Sequence, residues 1–98
     1  VQQGDIVFTG ETDRVYQGAA PESRIVDPVM KRTIINRREG SASSVIWNPW
    51  IEKSKKMADF GDDEYPGMVC VETANVGDRQ IVIAPGESHA MTAFISTR

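Results

Sequence analysis

The carboxylate of Glu72 is the side chain of this sequence best placed to take part in chemistry. It lies near the end of a segment from Met68 to Thr73 in which the period of two of a strand would place Met68, Cys70 and Glu72 on one face. Covering that face would suit the carboxyl group for general acid–base work, because burial disfavours its charged form. The alternative is that the strand ends here and Glu72 points to water, since glutamate is rarely buried without a partner.

Two other reactive side chains give weaker signals. Cys70 lies among apolar neighbours and no histidine accompanies it, so it is predicted to be a core residue rather than a nucleophile. The only histidine, His89, follows the turn-forming residues Pro85 and Gly86. It is predicted to face solvent where the last strand begins.

Turn-forming glycines and prolines divide the sequence into short segments, which is typical of an all-β architecture. Most of the segments between them are rich in β-branched or aromatic residues, as strands require. The predicted strands are residues 6–8, 14–16, 24–26, 32–35, 44–47, 68–73, 80–83 and 90–96.

One segment departs from this pattern and predicts a short helix near residues 49–58. Asn48 would be its N-cap and Pro49 its first residue. Trp50 and Met57, seven residues apart, would share one face of this helix, and its charged residues would occupy the solvated remainder. An acidic loop, residues 59–67, then leads into the strand that carries Glu72.

Length, charge and cysteine content narrow the class of protein. The 98 residues are expected to form a single partial domain over 1–98. The net charge of −3 gives no general attraction to nucleic acid or to anionic membranes, and no apolar run approaches the roughly 20 residues that cross a bilayer. One cysteine excludes an internal disulfide, which is compatible with a reducing compartment. A cytoplasmic location is expected, with a plastid left open.

Three segments carry a likeness to a known family. They are residues 8–16, which read FTGETDRVY, residues 45–50, which read VIWNPW, and residues 57–72, which read MADFGDDEYPGMVCVE. Together they resemble the C-terminal region of the hexose-6-phosphate mutarotases, also called glucose-6-phosphate 1-epimerases, which include the plant apospory-associated protein C group. The resemblance covers nearly the whole chain. It implies the C-terminal part of a galactose mutarotase-like antiparallel β-sandwich whose concave face holds the sugar.

The resemblance also implies roles for individual residues. Glu72 stands where the family has its catalytic base, and Asp13 where it has an aspartate that accepts hydrogen bonds from sugar hydroxyl groups. The alternative for Asp13 is that it stabilises the turn before a strand. One base and one acid suffice to interconvert two anomers, so neither a metal nor an organic cofactor is expected. The family's acid is a histidine that precedes this region, so His89 does not match it.

Two groups near the predicted helix could also serve a phosphorylated sugar. Trp47 and Trp50 could stack on a pyranose ring, although tryptophans at a strand-to-helix corner more often pack against neighbours. The lysines of the helix could attract the 6-phosphate, although a run of charges on a short helix is usually its solvated face. These lysines are Lys53, Lys55 and Lys56. By resemblance, the family's phosphate-binding arginines lie in the missing N-terminal part.

The leading interpretation is therefore part of a cofactor-free isomerase that interconverts the α and β anomers of a hexose 6-phosphate. The 98 residues alone are expected to be inactive. They are expected to pair with the missing N-terminal portion of the same sandwich or to self-associate, because half a sandwich exposes sheet edges and apolar surface. Two other functions stay open, a non-catalytic carbohydrate-binding β-sandwich and a purely structural interaction domain.

Overall fold

A computed structural model describes residues 2–98 of the chain. Within them lie six strands and one α-helix, in two three-stranded sheets of order β1-β4-β5 and β2-β3-β6. The pairs β2–β3 and β3–β6 are antiparallel. This confirms the predicted all-β, sandwich-type architecture with one short helix. The elements are β1 (Thr12–Gln17), β2 (Glu22–Asp27), β3 (Arg32–Glu39), β4 (Ser43–Asn48), α1 (Trp50–Lys56), β5 (Cys70–Ala74) and β6 (Thr92–Thr97).

The chain divides into two compact units. The first comprises the residues up to Arg14 together with Ile46–Cys70, and it contains helix α1 and the acidic loop. The second comprises Val15–Val45 and Val71–Arg98, and it contains the sheet β2-β3-β6. None of the helices in residues 2–98 has the length and apolar character needed to cross a membrane.

In the first unit, helix α1 begins one residue later than predicted. Pro49 is its N-cap, and the helix ends at Lys56. The predicted N-cap, Asn48, instead accepts a hydrogen bond from the backbone N–H of Trp50 through Oδ1, at 2.9 Å. Pro49 has helical dihedral angles, with φ −69° and ψ −24°, but as the N-cap it makes no side-chain capping hydrogen bond. The Asn48 side chain binds a backbone N–H at the helix start instead.

In the second unit, the hairpin between β2 and β3 closes on Asp27. Its Oδ1 accepts hydrogen bonds from the backbone N–H groups of Met30 at 3.1 Å and Val29 at 3.2 Å, and its Oδ2 accepts one from Arg32 Nε at 3.0 Å. The Met30 N–H in particular, with Arg32 beside it, holds the pKa of the Asp27 carboxyl below its usual value. The register that follows pairs Asp27 with Arg32 and runs to Glu22 opposite Arg37.

Two predicted strands are not strands in the structure. Residues 6–8 and 80–83 have the β-branched composition of strands, but they have irregular backbone. Val7 and all of residues 80–83 are exposed, whereas Ile6 and Phe8 are half-buried. Composition is therefore not sufficient, because a strand also needs a hydrogen-bonding neighbour.

Candidate active site

Glu72 lies on β5 with its side chain exposed. Its carboxylate makes no ion pair or side-chain hydrogen bond within residues 2–98. The next residue, Thr73, accepts a hydrogen bond from Asn36 Nδ2 of β3 at 3.1 Å. Successive side chains of a strand point to opposite faces, so Glu72 points away from the β3 contact. One alternative from the sequence is that other residues cover the strand face that carries Glu72. Residues 2–98 do not cover the Glu72 side chain.

The backbone of Glu72 is held more firmly than its side chain. Ser44 Oγ donates a hydrogen bond to the Glu72 carbonyl at 3.1 Å. Ser41 Oγ donates a hydrogen bond to the Ala74 carbonyl at 2.7 Å and accepts one from the Ala74 backbone N–H at 3.2 Å. Alternate residues of β5 are therefore bound by hydroxyl groups from residues 41–44, a segment that runs into the start of β4.

A third serine of the same segment binds the chain just beyond β5. Ser43 Oγ donates to Gln17 Oε1 at 2.6 Å and accepts from the Val76 N–H at 3.3 Å, while Gln17 Nε2 donates to the Val76 carbonyl at 2.8 Å. Both polar groups of the Val76 backbone are thereby satisfied by side chains. Ser43 is fully buried, and Ser44 is 3 % exposed. We call Ser41, Ser43 and Ser44 the serine clamp.

Asn75 completes the attachment of this segment to β5. Its Oδ1 accepts from the Ala42 N–H at 2.8 Å, and its Nδ2 donates to the Gly40 carbonyl at 2.8 Å. His89 Nε2 lies 2.7 Å from the same Gly40 carbonyl, so it is the protonated nitrogen of that ring. His89 is exposed at the approach to β6, as predicted, but it also links that approach to the end of β3.

Asp13 belongs to the first compact unit, and Glu72 belongs to the second. Asp13 is the second residue of β1 and is exposed. Within residues 2–98 its carboxylate makes no ion pair or side-chain hydrogen bond. The side-chain hydrogen bond at the start of this strand runs from Thr12 Oγ1 to the Gly10 carbonyl at 3.1 Å and does not involve Asp13. The Asp13 carboxylate therefore remains available to accept hydrogen bonds from a ligand.

Asn48 has a larger role than capping. It is 2 % exposed, and its Nδ2 donates to the carbonyls of Tyr65 at 2.9 Å and Met68 at 2.7 Å. The asparagine of the WNPW run thus anchors the far end of the acidic loop. The ring of Trp50 packs on Tyr65 with centroids 5.1 Å apart and an interplanar angle of 57°. This favours packing over sugar stacking for Trp50.

The helix lysines and Cys70 are the remaining candidates. The three helix lysines are exposed, and Lys55 Nζ lies 3.9 Å from Glu52 Oε1. Such exposed ion pairs are typical of a solvated helix face. Cys70 is half-buried at the start of β5. Among residues 2–98, no three histidine, cysteine, aspartate or glutamate side chains cluster as a metal site would require.

Sequence reasoning missed the serine clamp. Its signal was the run Ser41-Ala42-Ser43-Ser44, which leads directly into the apolar part of a predicted strand. A buried hydroxyl must find a hydrogen-bond partner, so adjacent serines in a strand that packs on both sides indicate bonds to a neighbouring backbone. The identity of that backbone, β5, depends on the fold.

Residues 1–95 match the aldose 1-epimerase family, and the chain belongs to that family. A protein of Cenchrus ciliaris named "Putative glucose-6-phosphate 1-epimerase" is 47% identical over 87 residues, which are 88% of this chain and 26% of that protein. A protein of Escherichia coli K12 with the same name is 37% identical over 82 residues, or 84% of this chain and 28% of the relative. The chain thus spans about a quarter of the length of these relatives. No solved structure matches.

Proposed function

We propose that the protein carrying this chain interconverts the α and β anomers of a hexose 6-phosphate, with Glu72 as the base and Asp13 as a ligand of the sugar. The observation that carries the proposal is the family match over residues 1–95. The Glu72 carboxylate is also exposed, and no other side chain of residues 2–98 pairs with it. A base must be reachable by the substrate's hydroxyl group. The exposure of the Glu72 side chain supports this role.

The reaction needs two proton transfers. Glu72 takes the proton of the anomeric hydroxyl while an acid protonates the ring oxygen, the bond from C1 to the ring oxygen breaks, and an open-chain aldehyde forms. Rotation about C1–C2 and reclosure on the other face then give the second anomer. His89 is not proposed as the acid, since its Nε2 is committed to the Gly40 carbonyl and the acid is expected outside these residues.

The test is anomer-exchange NMR on the natural protein that contains this chain, with glucose 6-phosphate as the substrate. Glu72→Gln keeps the shape of an exposed side chain and removes the base, so exchange above the spontaneous rate should fall by about 10²–10⁴-fold. Glu87→Gln is the matched control, because Glu87 is another exposed glutamate and lies in a surface turn. Asp13→Asn in the same assay should raise KM more than it lowers kcat.

Each other outcome selects a rival function. Sugar-dependent chemical-shift changes without excess exchange would favour a carbohydrate-binding module that does not turn over its ligand. Full exchange in Glu72→Gln would remove Glu72 from the mechanism. An unchanged response of every variant to sugar would favour a structural interaction domain.

We also propose that the exposed apolar residues of the second unit are covered in the natural protein by other residues of the sandwich or by a second copy of the chain. Val26, Ile95 and Val82 are 72%, 73% and 83% exposed, and such surface promotes association. The 98 residues alone are therefore expected to self-associate and to show no excess anomer exchange. A monodisperse, cooperatively unfolding monomer by light scattering and thermal melting would contradict the association.

A further inference from the structure

The position of the Glu72 carboxylate depends on the backbone that carries it. Within residues 2–98 no side chain pairs with this carboxylate, so these residues give it no direct orienting partner. A catalytic base must stand within hydrogen-bond reach of the proton that it removes, and a displacement of about 1 Å can cost about 10²-fold in rate. Whatever fixes the Glu72 backbone therefore contributes to the placement of the base.

Ser44 makes the side-chain contact that acts on the Glu72 backbone itself. Its hydroxyl donates to the Glu72 carbonyl at 3.1 Å, and the residue is 3 % exposed. A serine side chain has few rotamers, and burial removes the water that could replace the carbonyl as an acceptor. The bond therefore restricts the Glu72 carbonyl much more than a solvent-exposed hydroxyl would.

The other members of the clamp bind at different points. Ser41 holds Ala74, two residues further along the strand, and Ser43 holds Val76 with the help of Gln17. Because alternate carbonyls of a strand point to the same side, these contacts form a row along one edge of the chain from Glu72 to Val76. Ser44 is the end of that row that meets the candidate base.

We propose that Ser44 is a positioning residue for the reaction, which holds the Glu72 backbone so that the carboxylate reaches the anomeric hydroxyl group. The inference rests on the proposed function, in which Glu72 is the base. Ser44 takes no part in proton transfer. Its effect is confined to the geometry of Glu72, so it should act on kcat and leave KM close to its normal value.

The test compares three variants of the natural protein in the anomer-exchange assay. Ser44→Ala should lower kcat by about 10- to 100-fold with little change in KM. Ser44→Thr keeps the hydroxyl group and should restore most of kcat. Ser41→Ala is the matched control, since it breaks a bond to Ala74 of β5 rather than to Glu72, and it should lower kcat less than Ser44→Ala does.

Ser44→Cys guards against loss of folding in the alanine variant. Its thiol fills nearly the same space and is only a weak hydrogen-bond donor, so a folded cysteine variant should also lose kcat. Full kcat in folded Ser44→Cys or Ser44→Ala, or equal losses in Ser41→Ala and Ser44→Ala, would overturn the proposal. Failure of the proposed function looks different, because Glu72→Gln would then keep its exchange whatever Ser44 does.

Discussion

The strands β5 and β6 are held in different ways. From Val71 to Ala74, β5 is half-buried apart from Glu72, and buried or half-buried serines outside the strand bind its backbone. All six residues of β6 are exposed. β6 is paired with β3 through the register from Ile34 opposite Thr97 to Glu39 opposite Thr92. One side-chain contact on this pair places Arg37 over the ring of Phe94, 4.9 Å from its centroid.

The difference is that β5 has side-chain hydrogen bonds to its backbone in addition to strand pairing. Backbone pairing sets the register of β6 and leaves its side chains open to solvent or to another surface. β5 is paired with β4, and in addition side-chain hydrogen bonds from buried or half-buried serines fix particular peptide groups of β5 and leave Glu72 open on the other side. A strand that presents a base needs its backbone fixed and its carboxylate reachable, and β5 combines both properties.

The largest expected effect comes from Gly40, which adjoins the serine clamp and also touches the approach to β6. Its φ is +71°, and a Cβ added there would clash with the backbone carbonyl oxygen of Ala90. Gly40→Ala should therefore lower the free energy of unfolding by about 2–5 kcal/mol, from left-handed strain together with a clash against backbone. Urea denaturation of the natural protein measures this loss.

Gly86→Ala is the control for Gly40→Ala. Gly86 has a φ of +83°, but a Cβ there meets no atom within 4 Å. Gly86→Ala should therefore lower the free energy of unfolding only by the cost of left-handed backbone strain, about 1–2 kcal/mol. Equal losses in the two variants would mean that the approach of Ala90 to Gly40 does not constrain the folded protein.

The architecture was largely predictable from the sequence. Strands were predicted within β1, β2, β3 and β4, because segments rich in β-branched or aromatic residues between turn-formers report local structure directly. The predictions failed at residues 6–8 and 80–83, where the same composition lacks a paired neighbour. Strand pairing is a long-range property, so local composition does not determine it.

The candidate site was predictable only in part. Glu72 and Asp13 came from a resemblance, and the structure adds that both side chains are exposed. The serine clamp and the anchoring of the acidic loop by Asn48 were not predicted. Each depends on hydrogen bonds between residues 17 to 59 positions apart in the chain, and sequence spacing gives no measure of such distances.

A smaller effect tests the contrast between the strands directly. Ser43→Ala on the clamp should lower the free energy of unfolding by about 1–3 kcal/mol, because the Val76 N–H and the side-chain Oε1 of Gln17 lose their partner Ser43, which is fully buried. Ser96→Ala makes the same change on exposed β6 and should alter the free energy of unfolding by no more than about 0.5 kcal/mol. Urea denaturation of both variants in the natural protein measures the difference. If Ser96→Ala proved as costly as Ser43→Ala, then β6 would be covered in the natural protein as closely as the clamp is, and the contrast would belong to these 98 residues alone.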